Sequence, residues 1–361
     1  MSDIPPGSAD ELIAKAMELP YGGARVNMLV RAVNEADFSH DADAMFLARM
    51  HLSDSAILSG QPEKAIPAIA WCLQQFDTDF QRHRPHQHWL LASFKNVLHN
   101  ADEFPRLSLD QFEELRARMA ALYRRCGYNM RPVHYIQFVF ATAIGDRAVA
   151  CKSYEQFRAE PRDDMADCEG CEADSEIEYY DLMDEPARAL DVARPSLEGQ
   201  RKCLEVPHRT LSLVLRPLAL LGRYDEADLC QERGYELIWD NPAFLRHVAL
   251  QIAYLVHRNR LGAAVRMVER HLWWALETHA GRSQYHFFVA ARIALARFAD
   301  VKSTCRLNLP QNFPMYDPSG NYDVARLLSW FGAQQADLGK RFDSRNGNDF
   351  FSRELVDRMQ Y

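Results

Sequence analysis

The feature that most constrains this chain is a spacing. Five times, a residue suited to turning the backbone is followed five positions later by an alanine in an apolar helical pattern: Gly60 by Ala65, Gly145 by Ala150, Asp184 by Ala189, Gly222 by Ala227 and Asn259 by Ala264. From Ala150 onward these alanines lie 39, 38 and 37 residues apart. The 85 residues between Ala65 and Ala150 leave room for one irregular unit around a helix at 108–126. A period of roughly 34–40 with two helices per unit describes stacked helical hairpins. A small residue beside the turn lets two helices approach, and each hairpin buries its other apolar face on a neighbour. A non-repeating helical bundle is the alternative.

The local pattern agrees. Phe112, Leu115, Met119 and Leu122 fall at i, i+3, i+7 and i+10, as do Leu245, Val248, Ile252 and Leu255. Leu211, Val214, Leu215 and Leu218 fall at i, i+3, i+4 and i+7. Each set draws one apolar stripe at about 3.6 residues per turn. Ser108 followed by Gln111 is a capping-box pattern, and Gly127 stands where a helix C′ residue belongs. Alternation of the strand type never runs beyond three or four residues. The expected class is all-α.

Composition narrows the functions. The 361 residues carry 42 Lys+Arg against 50 Asp+Glu, a net charge of −8, which speaks against a nucleic-acid partner. With no run of eighteen apolar residues, no membrane-spanning helix is expected. The opening MSDIPPGSADELIAKAMEL has no basic stretch followed by an apolar core, so no signal peptide is read there. Eight cysteines without such a signal suggest a reducing, cytoplasmic setting and no disulfide framework.

The run Leu220-Leu221-Gly222-Arg223-Tyr224-Asp225-Glu226-Ala227 resembles the turn of a tetratricopeptide repeat. Leu52-Ser53, Gly60 and Ala65 match the same pattern, as do Gly145, Ala150 and Tyr154. The early tryptophan of that family is missing, Gly234 and Cys72 stand where its second alanine belongs, and the units are longer. The resemblance covers about 42–300 and is strongest around 210–240. It implies an α-solenoid whose concave face, lined by the first helix of each hairpin, recognises a protein or peptide. The chain then divides into capping helices over 1–40 (near 9–18 and 23–35), an array over 41–305 and a C-terminal cap over 306–361. In that cap, 306–322 reads as a long loop. Helices near 322–341 and 349–359 follow, separated by a turn at Asn346-Gly347.

One constellation carries chemistry. Cys168 and Cys171 form a C-x2-C, and Cys203 and His208 a C-x4-H some thirty residues on. Helices over about 172–182 and 185–196 rise and return the same distance, so both pairs reach one end of one hairpin. Three thiolates and an imidazole suit Zn²⁺, and four protein ligands leave no position for substrate, which makes the ion a structural staple. A redox C-x-x-C wants a βαβ context, and none is present. Cys72, Cys126, Cys151, Cys230 and Cys305 lack partners at ligand spacing and read as small hydrophobes.

Catalytic motifs are missing: there is no Gly-rich phosphate loop, HExxH, nucleophile elbow or dinucleotide fingerprint. His83, His86 and His88 read as an exposed linker. The acidic run Glu169, Glu172, Asp174, Glu176 and Glu178 reads as a solvated helix face, and Trp273-Trp274 as one buried and one exposed aromatic. Opposite the apolar stripes lie Arg209, Ser212 and Arg216, then Arg246 and His257, then Tyr285 and Arg292. These residues suggest a basic strip for a partner's carboxylates, with a plain solvated face as the alternative. The favoured function is a non-enzymatic scaffold or adaptor, a class that includes immunity or antitoxin-type inhibitors. The rival is a zinc-dependent hydrolase on a helical scaffold.

Overall fold

In the computed structural model of the chain, residues 7–361 are described; the first six residues of the N-terminal cap lie outside them. The chain is all-α. Its helices are α1 (Ala9–Glu18), α2 (Gly23–Ser39), α3 (Ala42–Leu58), α4 (Pro62–Thr78), the single turn α5 (Phe80–His83), α6 (Gln87–His99) and α7 (Leu109–Cys126). They continue with α8 (Arg131–Ala143), α9 (Arg147–Ala159), α10 (Glu169–Leu182), α11 (Pro186–Leu197), α12 (His208–Leu213), α13 (Leu215–Leu220) and α14 (Tyr224–Ile238). The last are α15 (Leu245–His257), α16 (Leu261–Glu277), α17 (Gly281–Ala299), α18 (Val324–Asn346) and the short α19 (Leu355–Arg358). Consecutive helices pack as antiparallel pairs: α1 with α2, α3 with α4, α6 with α7, α8 with α9, α10 with α11, α12–α13 with α14, α15 with α16, and α17 with α18.

The five turns singled out by spacing share one geometry. Gly60, Gly145, Asp184, Gly222 and Asn259 all have φ between 55° and 76°. In each, the amide after the turn residue donates to the carbonyl four residues before it: Gln61 to Ala56, Asp146 to Ala141, Glu185 to Tyr180, Arg223 to Leu218 and Arg260 to Leu255. This is the Schellman arrangement, which satisfies helix-end carbonyls through one left-handed residue. Glycine adopts that conformation freely, and aspartate and asparagine tolerate it. The alanine five positions on is 0% exposed in all five cases, so it lies within the packing and not on the surface.

The first helices of successive pairs touch in order, α6 on α8, α8 on α10, α10 on α12, α12 on α15 and α15 on α17. The row then returns on itself, because α17 meets the 3-10 turn Ala101–Glu103 that follows α6. Ser283 donates its N–H and hydroxyl to Glu103 at 2.8 and 2.7 Å, and Arg282 reaches Asp102 at 2.6 Å. The C-terminal segment fastens the closure. The Phe350 ring leaves no room for a side chain at Gly145, Arg345 donates to the Phe104 carbonyl at 3.1 Å, and Arg358 to those of Asp181 and Leu182 at 2.7 and 2.9 Å.

Three local expectations change. The stripe from Leu211 to Leu218 spans two helices that break at Val214, since Pro217 has no N–H for the Leu213 carbonyl and crowds it. The loop at 306–322 is bracketed by a short antiparallel pair, β1 (Thr304–Arg306) and β2 (Asn321–Asp323), with Cys305 opposite Tyr322. Three-residue strands are too short for alternation to reveal. Helix α18 runs on to Asn346, beyond the expected end near 341. Gly347, at φ 67°, ends it by donating to the Asp343 carbonyl. The capping box at Ser108 and Gln111 and the left-handed Gly127 are both present.

Candidate metal centre

Helix α10 begins on a thiol. Cys168 is its N-cap residue, and its Sγ accepts the Cys171 N–H at 3.3 Å, the role serine or aspartate usually fills. From the other side comes a tight turn in which the Cys203 N–H donates to the Val206 carbonyl at 3.1 Å. A Cβ on Gly170 would stand 3.2 Å from the Val206 side chain, so the glycine of C-E-G-C admits this turn against the start of α10. Cys203 Sγ thereby comes 3.5 Å from Cys171 Sγ, and all three sulfurs lie within 4.8 Å of one another. Ligands at about 2.3 Å around a tetrahedral ion stand about 3.8 Å apart, so the spacing suits a thiolate-bound metal.

Of the three sulfurs Cys168 alone is pushed towards the thiolate, while Cys171 and Cys203 are both pushed towards the thiol. Hydrogen bonds from the Cys171 and Cys203 thiols, then from backbone N–H groups at the helix start, hold Cys168 far below the ordinary thiol range. Cys171 moves the opposite way, because Cys168 and Cys203 take its hydrogen bonds and it is more enclosed. The Glu205 N–H donates to Cys203 Sγ at 3.4 Å. Cys168 is exposed while Cys171 and Cys203 are half-buried, so the site lies at the surface.

His208 stands apart from the three sulfurs. As the first residue of α12 it faces the turn Pro242–Phe244, and its ring stacks on Phe244 with centroids 5.7 Å apart and planes 7° apart. Its Nδ1 is buried without a partner, and burial lowers its pKa.

The acidic run and the basic strip find each other. Where a solvated face was expected, Glu172, Asp174 and Glu176 are buried, and each faces an arginine. Glu172 takes Arg131 at 2.8 Å and also Arg162; Glu176 takes Arg158 at 3.0 Å; Asp174 has Arg209 Nε at 3.6 Å and the Thr210 hydroxyl at 2.6 Å. Glu178 receives two N–H groups of Arg246 at 2.7 and 3.0 Å and Arg282 at 3.3 Å; the guanidiniums outweigh burial and hold it well below the usual carboxylate range. Arg216 pairs with Asp181 at 2.6 Å.

The remaining strip residues are engaged within the chain as well. Ser212 is buried and accepts from Gln251 at 2.9 Å. Tyr285 is buried with its hydroxyl on the Phe351 carbonyl, His257 lies against the C-terminal Tyr361, and Arg292 bonds Gln335. The physical reason is the closure: a face opposite an apolar stripe meets solvent only where no further helix covers it.

The histidine segment departs from an exposed linker too, since His83 is buried and stacks on Phe46 at 4.3 Å. Trp274 is buried and Trp273 exposed, as read from the sequence. Sequence reasoning missed Gly170, whose signal was its place inside the C-x2-C. It also missed Lys95, which braces the same loop by donating to the Met165 carbonyl at 2.9 Å and to Asp167 at 2.5 Å. No helix of the described residues is long and apolar enough to cross a membrane. No protein-family model matches this sequence, and no curated protein matches it either.

Proposed function

We propose that this chain is a non-enzymatic scaffold for a protein or peptide partner, built as a tetratricopeptide-like α-solenoid and stabilised by a structural zinc ion on Cys168, Cys171 and Cys203. The observation that carries the metal reading is the meeting of three thiols from the two segments that flank the α10–α11 pair. An ion there ties the entry of one hairpin to the start of the next and links metal binding to folding. A closed staple needs a fourth donor. His208 supplies it if its ring leaves Phe244, and its partnerless Nδ1 supports that assignment. The scaffold reading draws on the five equal turns. It draws also on a surface patch where Arg270 lies over exposed Trp239 at 4.7 Å, one helical turn from exposed Trp273. Arginine and tryptophan dominate the energetics of protein interfaces.

The test is elemental analysis of freshly purified protein joined to X-ray absorption at the zinc edge. About one zinc per chain is expected, with three sulfurs and one imidazole. Cys203→Ser should lose the metal and speed hydrogen exchange over 165–210 while leaving 9–99 unchanged. Protein isolated without metal would sink the proposal.

One observation favours a second reading, the metal-dependent hydrolase. Three thiols leave one tetrahedral position for water, and Cys171 lies in the wall of a polar cavity together with Asp167 and Glu205. Three sulfurs and an exchangeable oxygen in the absorption spectrum would select this reading over the staple.

A further inference from the structure

Between α6, α8, α10, α12, α15 and the start of α17 lies a cavity of about 230 Å³ whose lining includes many ionisable side chains. At about 30 Å³ per water, it has room for roughly seven waters or one small metabolite. Its mouth includes exposed Pro242 and half-buried Asn96, Glu205 and Thr278.

Most of its charges are matched from within. Glu178 lies between Arg246 and Arg282, Arg282 also holds Asp102, and Arg209 holds Glu205 at 3.2 Å. Three groups are not. His247 is 5% exposed, and neither ring nitrogen has a hydrogen-bond partner. Burial, then the guanidiniums of Arg246 and Arg209, keep it neutral, so it offers one N–H donor and one acceptor. The Nε of Arg282 is likewise buried and partnerless, and that of Arg209 has only the Asp174 carboxylate at 3.6 Å, beyond hydrogen-bond length. Glu103 is the converse. It accepts from Ser283 but makes no ion pair among the described residues, and burial and Asp102 raise its pKa.

Buried donors and acceptors left unmatched are costly, and native proteins rarely leave several in one place. Here the unmatched N–H donors suit a carboxylate, and Glu103, half-buried and hydrogen-bonded by Ser283 but without a cation of its own, suits an ammonium. A doubly charged phosphate fits poorly, because the lining holds more carboxyls than guanidiniums. We propose that the cavity binds a small zwitterion of amino-acid size, its ammonium on Glu103 and its carboxylate on His247 and the arginine Nε groups.

The experiment is isothermal titration calorimetry of the full-length protein, as purified with its metal, against each common L-amino acid at millimolar concentration. At least one should bind. Its amide, which lacks the carboxylate, and its N-acetyl form, which lacks the ammonium, should each bind about tenfold more weakly or worse. Glu103→Gln should weaken the amino acid and leave the N-acetyl form unaffected. His247→Leu should weaken the parent and leave the amide unaffected. Failure of every amino acid to bind overturns the proposal, as does equal binding of the parent and both derivatives. The ligand series uses the unaltered protein, so it decides the matter even where a variant does not fold.

Discussion

The pair α3–α4 and the pair α10–α11 turn through the same left-handed geometry, at Gly60 and Asp184, yet different physics holds them in place. The first pair is packed largely by apolar side chains: Phe46, Met50, Ala56, Ile69, Leu73 and Phe76 are all buried. In the second, α10 buries Glu172, Asp174 and Glu176 beside Ile177 and Tyr180, and its carboxylates collect arginines from α8, α9, α12, α15 and α17. A turn fixes how two helices reverse. It does not fix what their faces meet. Apolar packing tolerates substitution of like volume, whereas a buried charge demands its partner.

The sharpest way to break this contrast is to remove one carboxylate. Glu178→Gln leaves Arg246 without a counter-charge in an enclosed site, and Arg282 with Asp102 alone, and should cost about 3–5 kcal/mol in urea unfolding. A loss below about 1 kcal/mol would mean that water reaches these charges and that α10 is no different from a surface helix. The shared turn is tested next. Ala227→Leu forces extra volume into the packing and should cost about 1–3 kcal/mol, and Ala65→Leu a similar amount. An unchanged thermal midpoint in either would detach that alanine from the repeat.

The backbone part is smaller. No atom lies within 4 Å of where a Cβ on Gly222 would be, so Gly222→Ala tests only the left-handed conformation and should cost about 1 kcal/mol. Asn259→Gly, at the equivalent position, should be neutral or slightly stabilising. The least effect is expected at the C-terminal fastening. Arg147 holds Glu354 down to about 2, below its unfolded value, so the pair stabilises the fold above the ordinary carboxylate range. Both side chains are about a third exposed, which limits the contribution to under about 1 kcal/mol. Glu354→Gln should therefore show a small loss at pH 6. That loss should disappear as the pH falls from 4.5 towards 2, followed as the difference in unfolding midpoint. A loss that persists at low pH would assign the effect to packing.

Helix content, the five turns and the residues that cap them were legible because each depends on neighbours within about five positions. A left-handed residue with an alanine beyond it is a local pattern, and so is Ser108 with Gln111. The pairing of Cys168 and Cys171 with Cys203 was legible for a related reason: α10 and α11 are of nearly equal length, so the chain itself returns the ligands to one end. Tertiary structure alone decided the rest. It set His208 against Phe244, drew α17 onto Ala101–Glu103, and turned an acidic helix face and a basic strip toward each other. Charge patterns in a sequence state the sign of each side chain. Whether water or an opposite charge faces it depends on contacts far apart along the chain, such as Glu178 with Arg246 and Asp102 with Arg282.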